Sequence, residues 1–492
     1  MSQEIVRSKH FLRFGEIFIP FFSWLIILMP LWLSPFHPAI VAYLIIAFDL
    51  HFLYKSVMTA YYSTLSYSLI RAFQSVPFDE QVKELKESKK IQHFIIIPNY
   101  KEPIHKLSDT VRAITESDYP HNNYYLVLAF EKRETEATAK GEELKKKYGH
   151  FFKDVLFTYH VLTDVEVPGK ASNQTHAGHI VDEYCDKKGF DSKDVIITIC
   201  DADSMLPKNF FSYMTYEFLK DPERQYHFYW APVLLYNNFW QLPFFVRMQA
   251  TMSSILRLSF LSQKEHLIQI STYSTNLWLL KEINFWDVDI IPEDWHVYFQ
   301  AFIKFGEKVR TLPLYTIVNG DAVYSGNFLR TLASRYEQEK RWAWGVTDIS
   351  YFWNHMFITP HIRWKTKIKK LMFLAETHLL WPTSFFILTI SGFIPGIVNP
   401  VFKRTVLGFI LPQMTAFILT LATAMLVLYI YIDIKLRQRL NVQTHIHNLP
   451  LLIIQWYLLP VVSFVLSSLP ALDAHTRLLI GKKITYKVTE KV

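Results

Sequence analysis

Hydrophobic positions in this chain fall into two kinds of run. Long runs at about 15–33, 38–58, 371–395, 405–432 and 448–470 each approach the ~20 residues that a helix needs to cross a bilayer. Short β-branched or aromatic runs lie between 75 and 350, and they alternate with stretches whose apolar residues recur at helical spacing. The pattern predicts membrane helices at both ends and an α/β domain between them.

Within the central region, "QHFIIIPNY" (92–100) reads as a strand and "IHKLSDTVRAI" as a helix. The alternation continues with "YYLVLAF" (124–130) and a charged helix over 134–148, "DVLFTYHVL" and a helix opening near Lys170, then "DVIITIC" (194–200) and "PKNFFSYMTYEFLK". Consecutive strand–helix units of this length predict a parallel sheet with a nucleotide-type site at the strand C-terminal ends. There is no glycine-rich phosphate loop, so other groups must hold phosphate.

The predicted divisions are an N-terminal membrane region (1–74), the α/β domain (75–350), a basic interfacial segment (351–370), a second membrane region (371–470) and a tail (471–492). The first apolar run follows the basic "MSQEIVRSKHFLRFG" without a small-residue cleavage site, which predicts an uncleaved anchor. "SPFHP" carries no Lys or Arg, whereas "HIRWKTKIKK" (361–370) and "DIKLRQRLNVQTHIH" (433–447) are rich in them. The positive-inside rule therefore predicts a multi-pass protein of the cell membrane, with the N-terminus, the α/β domain and the 433–447 loop in the cytoplasm. A further crossing at 448–470 would export the basic tail; Pro460 and Pro470 leave room for a hairpin or interfacial segment instead.

Composition agrees with a mixed protein: half of the 492 residues are hydrophobic. The formal charge of +8 is concentrated beside the apolar runs, where anionic headgroups are the natural partner, so nothing calls for nucleic acid. Cys185 and Cys200 are the only cysteines, and their spacing signals neither a disulfide framework nor a structural metal.

Four polar clusters carry candidate chemistry. Asp201 and Asp203 in "VIITICDADSMLP" follow an apolar strand; they form either a solvated turn or a pair that shares a hard divalent cation with a nucleotide diphosphate. Glu293 and Asp294 in "IIPEDWHVYF" suit a helix N-terminus, and Asp294 could also serve as a general base. Lys170 and Asn173 in "PGKASNQ" open a helix, either as surface residues or as donors to phosphate or a nucleoside hydroxyl. "RYEQEKRWAWG" (335–345) sets Gln338, Arg341 and Trp342 just before a basic apolar segment, as an interfacial helix would. "STYSTNLW" (271–278) and His296 are placed on the acceptor side, with a satisfied core histidine as the other reading of His296.

Taken in order along the chain, these clusters resemble the membrane-embedded, processive family 2 glycosyltransferases, the group of cellulose and hyaluronan synthases. The resemblance runs from "IIIPNYKEP" through Trp342 and includes the flanking spans. It implies a GT-A-like catalytic domain, a UDP-sugar donor, Mg²⁺ or Mn²⁺, and elongation with translocation of a β-linked polysaccharide. It assigns Pro98, Tyr100, Glu102 and Glu131 to the nucleoside, Glu131 standing where the family usually has Asp. Asp201 and Asp203 correspond to its metal-bound diphosphate site, and Asp294 to its catalytic base beside Glu293. Gln338, Arg341 and Trp342 match Q-x-x-R-W, where Trp342 stacks on the acceptor sugar, Arg341 faces the diphosphate and Gln338 positions the acceptor. "YKVTEK" (486–491) resembles the F-x-V-T-x-K gating loop, with Tyr486 for Phe, which implies that Thr489 and Lys491 close over the nucleotide. Single transfer to a membrane lipid, as in ceramide glucosyltransferases, and a non-enzymatic transporter or scaffold are the alternatives.

Overall fold

The computed structural model describes residues 8–444 and 448–485. Two helices open the chain, α1 (Lys9–Leu33) and α2 (Pro38–Gln74). Apolar sequence accounts for the first half of α2 only. Its 37 residues reach about 55 Å, well past a ~30 Å hydrocarbon core. The extension packs on α7 (Phe244–Leu261), with Ser66 and Ser262 hydroxyls 2.6 Å apart. It ties α2 to the α/β domain.

Seven strands form the main sheet: β1 (Gln92–Asn99), β2 (Tyr124–Glu131), β3 (Asp154–His160), β4 (Val195–Ile199), β5 (His227–Trp230), β7 (Tyr273–Asn276) and β8 (Arg310–Pro313), in the order β3-β2-β1-β4-β7-β5-β8. The short strands β6 (Val233–Leu234) and β9 (Val318–Asn319) pair separately. Strands β1 to β4 are parallel, and every residue of β2 is buried, as expected of strands covered on both faces. Their helices are α3 (Ile104–Thr115), α4 (Ala137–Tyr148), α5 (Lys170–Lys188) and α6 (Phe210–Lys220).

The sheet departs from the expected all-parallel pattern at β7, which runs antiparallel between β4 and β5. This strand reads "YSTN", without an apolar run, yet all four residues are buried. Its polar groups are paired inside the sheet. The Ser274 hydroxyl lies 2.8 Å from that of Thr198, Thr275 donates to the His227 carbonyl, and the Asn276 amide donates to the carbonyls of Lys193 and Val195. Polar side chains are tolerated in a core when each finds a partner.

Beyond the sheet follow α8 (Glu293–Phe305), α9 (Phe328–Ala343), α10 (Trp364–Phe386), α11 (Val406–Ala424), α12 (Leu426–Arg439) and α13 (Leu469–Leu479). Among the described residues, four helical stretches are long and apolar enough to cross a membrane: His10–Leu33, Pro38–Gln74, Trp364–Ser391 and Val406–Arg439. Helix α10 starts inside the basic segment expected to lie apart from it. Pro450–Tyr457 and Leu459–Leu479 meet at a 58° bend, where Pro460 has no amide proton for the helical ladder and crowds the preceding turn.

Candidate active site

The C-terminal ends of β1, β2 and β4 open onto one cavity of about 1850 Å³, which continues between the apolar helices. Pro98, Tyr100 and Glu102 line it after β1, Glu131 at the end of β2, and Asp201 and Asp203 after β4. Lys170, Asn173, Glu293, Asp294, Gln338, Arg341 and Trp342 complete this set from α5, α8 and α9. Residues up to 244 positions apart along the chain thus share one wall. Tyr486, Thr489 and Lys491 lie outside the described residues.

At the end of β2, Glu131 is buried and accepts from Arg133, whose guanidinium lies 4.3 Å from the Tyr100 ring centroid. Asn173 spends its amide on the fold, donating to the Ala129 carbonyl at 2.9 Å; Asn99 donates to the same carbonyl at 3.2 Å. These two amides fix the ends of β1 and β2.

The acidic centre is built around Lys170. Its ammonium lies 2.7 Å from Asp201 Oδ1 and 2.9 Å from Glu293 Oε1, and donates to the Ser271 carbonyl. Burial alone would lower its pKa, but Asp201 and Glu293 outweigh that and raise it. Asp201 also accepts from the Ser271 hydroxyl, and Asp203 Oδ2 accepts from the Asp321 amide at 3.2 Å. Among the described residues no set of three His, Cys, Asp or Glu is arranged to hold a metal by itself. Two carboxylates facing one open cavity nevertheless fit a hard cation that takes its remaining oxygen ligands from a diphosphate and water.

Asp294 is the second residue of α8, with Oδ1 accepting from the Trp295 amide and Oδ2 from the Ser271 amide, each at 3.0 Å. Burial and the adjacent Glu293 carboxylate push its pKa from 3.8 up to about 7, against the opposing pull of Lys170 and the two amides. A carboxylate held near neutrality is suited to accept a proton.

Trp342 stands beside the guanidinium groups of Arg335 (4.5 Å to the ring centroid) and Arg257 (5.3 Å). Arg335 bonds Gln338 and Glu339 from its guanidinium ends and donates from Nε to Gln249 Oε1 at 2.7 Å. Arg257 is buried on the cavity wall; burial, then Arg335, lowers its pKa to about 10. Neither arginine is among the residues expected from sequence, although Arg257 interrupts the largely apolar helix "FFVRMQATMSSILRLSFL". Asp321, buried between Lys106 (2.5 Å) and Asn237 (2.7 Å), is a third addition.

His296 does not line the cavity. It is buried, with Nδ1 2.7 Å from Asp348 and Nε2 2.9 Å from Asp287. Burial would lower its pKa, but the two carboxylates raise it to about 9. The core reading describes this placement: both ring nitrogens are engaged, so the imidazole serves to join α8 to the helix Thr347–Met356.

Residues 196–432 match the family model for glycosyl transferase family group 2. The chain carries a glycosyltransferase domain. In this glycosyltransferase the matched segment includes Asp201, Asp203, Asp294 and the Gln338–Trp342 stretch. No curated protein sequence matches the chain significantly. Solved structures similar to it include the mannosyltransferase PcManGT from Pyrobaculum calidifontis in complex with GDP-Man and Mn²⁺, at 13% identity over 89% of this chain and 100% of that one, with a TM-score of 0.44. TarS from S. aureus follows at 11% identity over 66% of this chain and 53% of that one, with a TM-score of 0.35. The fold is α/β, with a mixed sheet.

Proposed function

We propose that the protein is an inverting, metal-dependent glycosyltransferase that uses a UDP-sugar, with its catalytic unit (75–350) on the cytoplasmic side of the cell membrane between two membrane regions. The observation that carries this reading is the single cavity shared by the aspartate pair, Lys170, Asp294 and the Gln338–Trp342 stretch.

In this mechanism Asp294 takes the proton of an acceptor hydroxyl. The freed oxygen attacks the anomeric carbon, and the bond to the nucleotide diphosphate breaks on the opposite face. Asp201 and Asp203 would hold Mg²⁺ or Mn²⁺, whose charge offsets that developing on the leaving diphosphate. Lys170 and Arg341 add cationic charge on the same wall, and Tyr100, Glu102 and Glu131 border the nucleoside. Gln338 and Trp342 position the acceptor, with Thr489 and Lys491 closing from the tail. Elongation of a β-linked polysaccharide is the reading that the resemblance to the processive synthases supports.

A second reading rests on a specific feature. Past Trp342 the cavity is walled by Phe385, Leu388, Leu419, Leu426 and Val462, a lining that suits hydrocarbon better than a polar glycan. A lipid acceptor would receive one sugar, so product mass separates the two readings.

The experiment is nucleotide diphosphate release from a panel of nucleotide sugars by the purified protein with Mn²⁺ or Mg²⁺. Chelation with EDTA is expected to lower release about a hundredfold or more, with recovery on adding the cation back. Undiminished release in EDTA would remove the metal from the mechanism.

The pH profile supplies another prediction. Asp294 acts as base only when ionised, and its pKa is raised from 3.8 to about 7. Transfer should therefore rise with pH through about 7 and decline about tenfold per unit well below it. A flat kcat/KM profile from pH 5 to 8 would contradict the assignment.

A further inference from the structure

The cavity rim between α2 and α10 carries charge that the transfer chemistry does not use. Glu376 of α10 lies 2.9 Å from His51 Nε2 and 3.0 Å from Lys55 Nζ of α2. Lys264, His266 and Lys369 line the same cavity. The Lys55 and His51 side chains are 43% and 41% exposed, and ion pairs this exposed are weak and exchange partners readily.

Position along the helices sets the depth of this Glu376 clasp. Lys55 lies about 26 Å from the start of α2 at Pro38, near the far edge of a ~30 Å hydrocarbon core. Exposed Met372 and Leu256 line the same cavity, so cations at headgroup depth adjoin apolar surface. From the clasp a row of rings leads inward: His266 lies 4.9 Å from Phe373, Phe373 lies 5.8 Å from Trp295, and Trp295 follows Asp294 in sequence.

We propose that this rim is the lateral entrance for an anionic phospholipid with a hydroxylated headgroup. Its phosphate replaces Glu376 as the partner of Lys55 and His51 on entry and its chains lie along the apolar walls; the headgroup then leaves the clasp and moves along the row of rings, which brings its hydroxyl to Asp294 as the acceptor. Charge complementarity selects this occupant over a zwitterionic or neutral lipid. The inference rests on the transfer reading above and specifies its lipid acceptor.

The test uses the full chain with phosphatidylglycerol and chain-matched phosphatidylcholine in equal amounts, with bound lipid counted by native mass spectrometry. Preferential binding of phosphatidylglycerol is expected, reduced about fivefold by Lys55→Gln and retained by Lys55→Arg. After incubation with the donor that the release assay identifies, the bound lipid should gain the mass of one sugar. Equal binding of the two lipids, or a preference unchanged in Lys55→Gln, overturns the site. Displacement by equimolar inorganic phosphate overturns the lipid reading in favour of a free-anion site. Selective binding with donor turnover but no sugar on the lipid overturns the acceptor role. Selective binding with no turnover of any donor instead removes the transfer reading while the lipid site stands.

Discussion

Asp294→Asn lowers sugar transfer by about 10² to 10⁴, the usual cost of removing a general base. The substitution keeps the size and shape of the side chain and removes its basicity. Both carboxylate oxygens accept main-chain amides, Ser271 on Oδ2 and Trp295 on Oδ1, so the new NH₂ group must face one donor and loses that bond. A lost bond of this kind costs about 1–3 kcal/mol, and a thermal melt run beside the assay registers it. The defect should therefore appear in kcat, with the KM for the donor nearly unchanged. Nucleotide binding, monitored by protection against heat, should persist. Transfer at the wild-type rate would end the assignment of Asp294 as base.

The parts of the fold legible in the sequence are those where burial imposes an apolar pattern. Strands β1, β2 and β4 carry the apolar runs FIII, YYLVLAF and VII because helices cover both faces, and Asp201 stands out because it follows such a strand. Strand β7 escapes this logic: its buried Ser274, Thr275 and Asn276 are satisfied by specific partners, and a single sequence does not display partners. The extension of α2 past residue 58 escapes it for a related reason. Its Tyr and Ser residues carry no membrane signal, and its packing against α7 exists only in three dimensions.

The site divides in the same way. Asp294 and the aspartate pair stand out in the sequence by type and position, and the fold brings all three to one cavity. Arg335 and Glu339 lie in "SRYEQEKRW", a stretch that reads as an interfacial helix whose charged side chains would meet water and headgroups. In the fold both are buried, at 2% and 4% exposure. Two neighbours explain the inversion: α9 is covered by α13 and contacts α7, which removes water from the side that carries these charges.

That burial makes Arg335 the position with the largest expected effect on stability. Arg335→Met should cost about 3–5 kcal/mol, because it removes one partner of a buried ion pair and leaves the other uncompensated. Glu339 would retain the Gln249 amide at 3.1 Å, a neutral donor that does not replace a guanidinium. Burial already raises the Glu339 pKa, with Arg335 and Arg257 pulling it back, so losing Arg335 should raise it further. Arg335→Lys keeps the charge but loses the fork that reaches Gln249, Gln338 and Glu339 together, and it should fall between the two. Arg335→Met combined with Glu339→Gln removes both charges and should recover much of the loss, since the penalty belongs to the orphaned carboxylate and not to the missing attraction. Tryptophan-fluorescence melts of the detergent-solubilised variants measure all three. A single Arg335→Met variant that melts with the wild type, or a double variant no more stable than the single, would show that this pair is not what holds α9 in place.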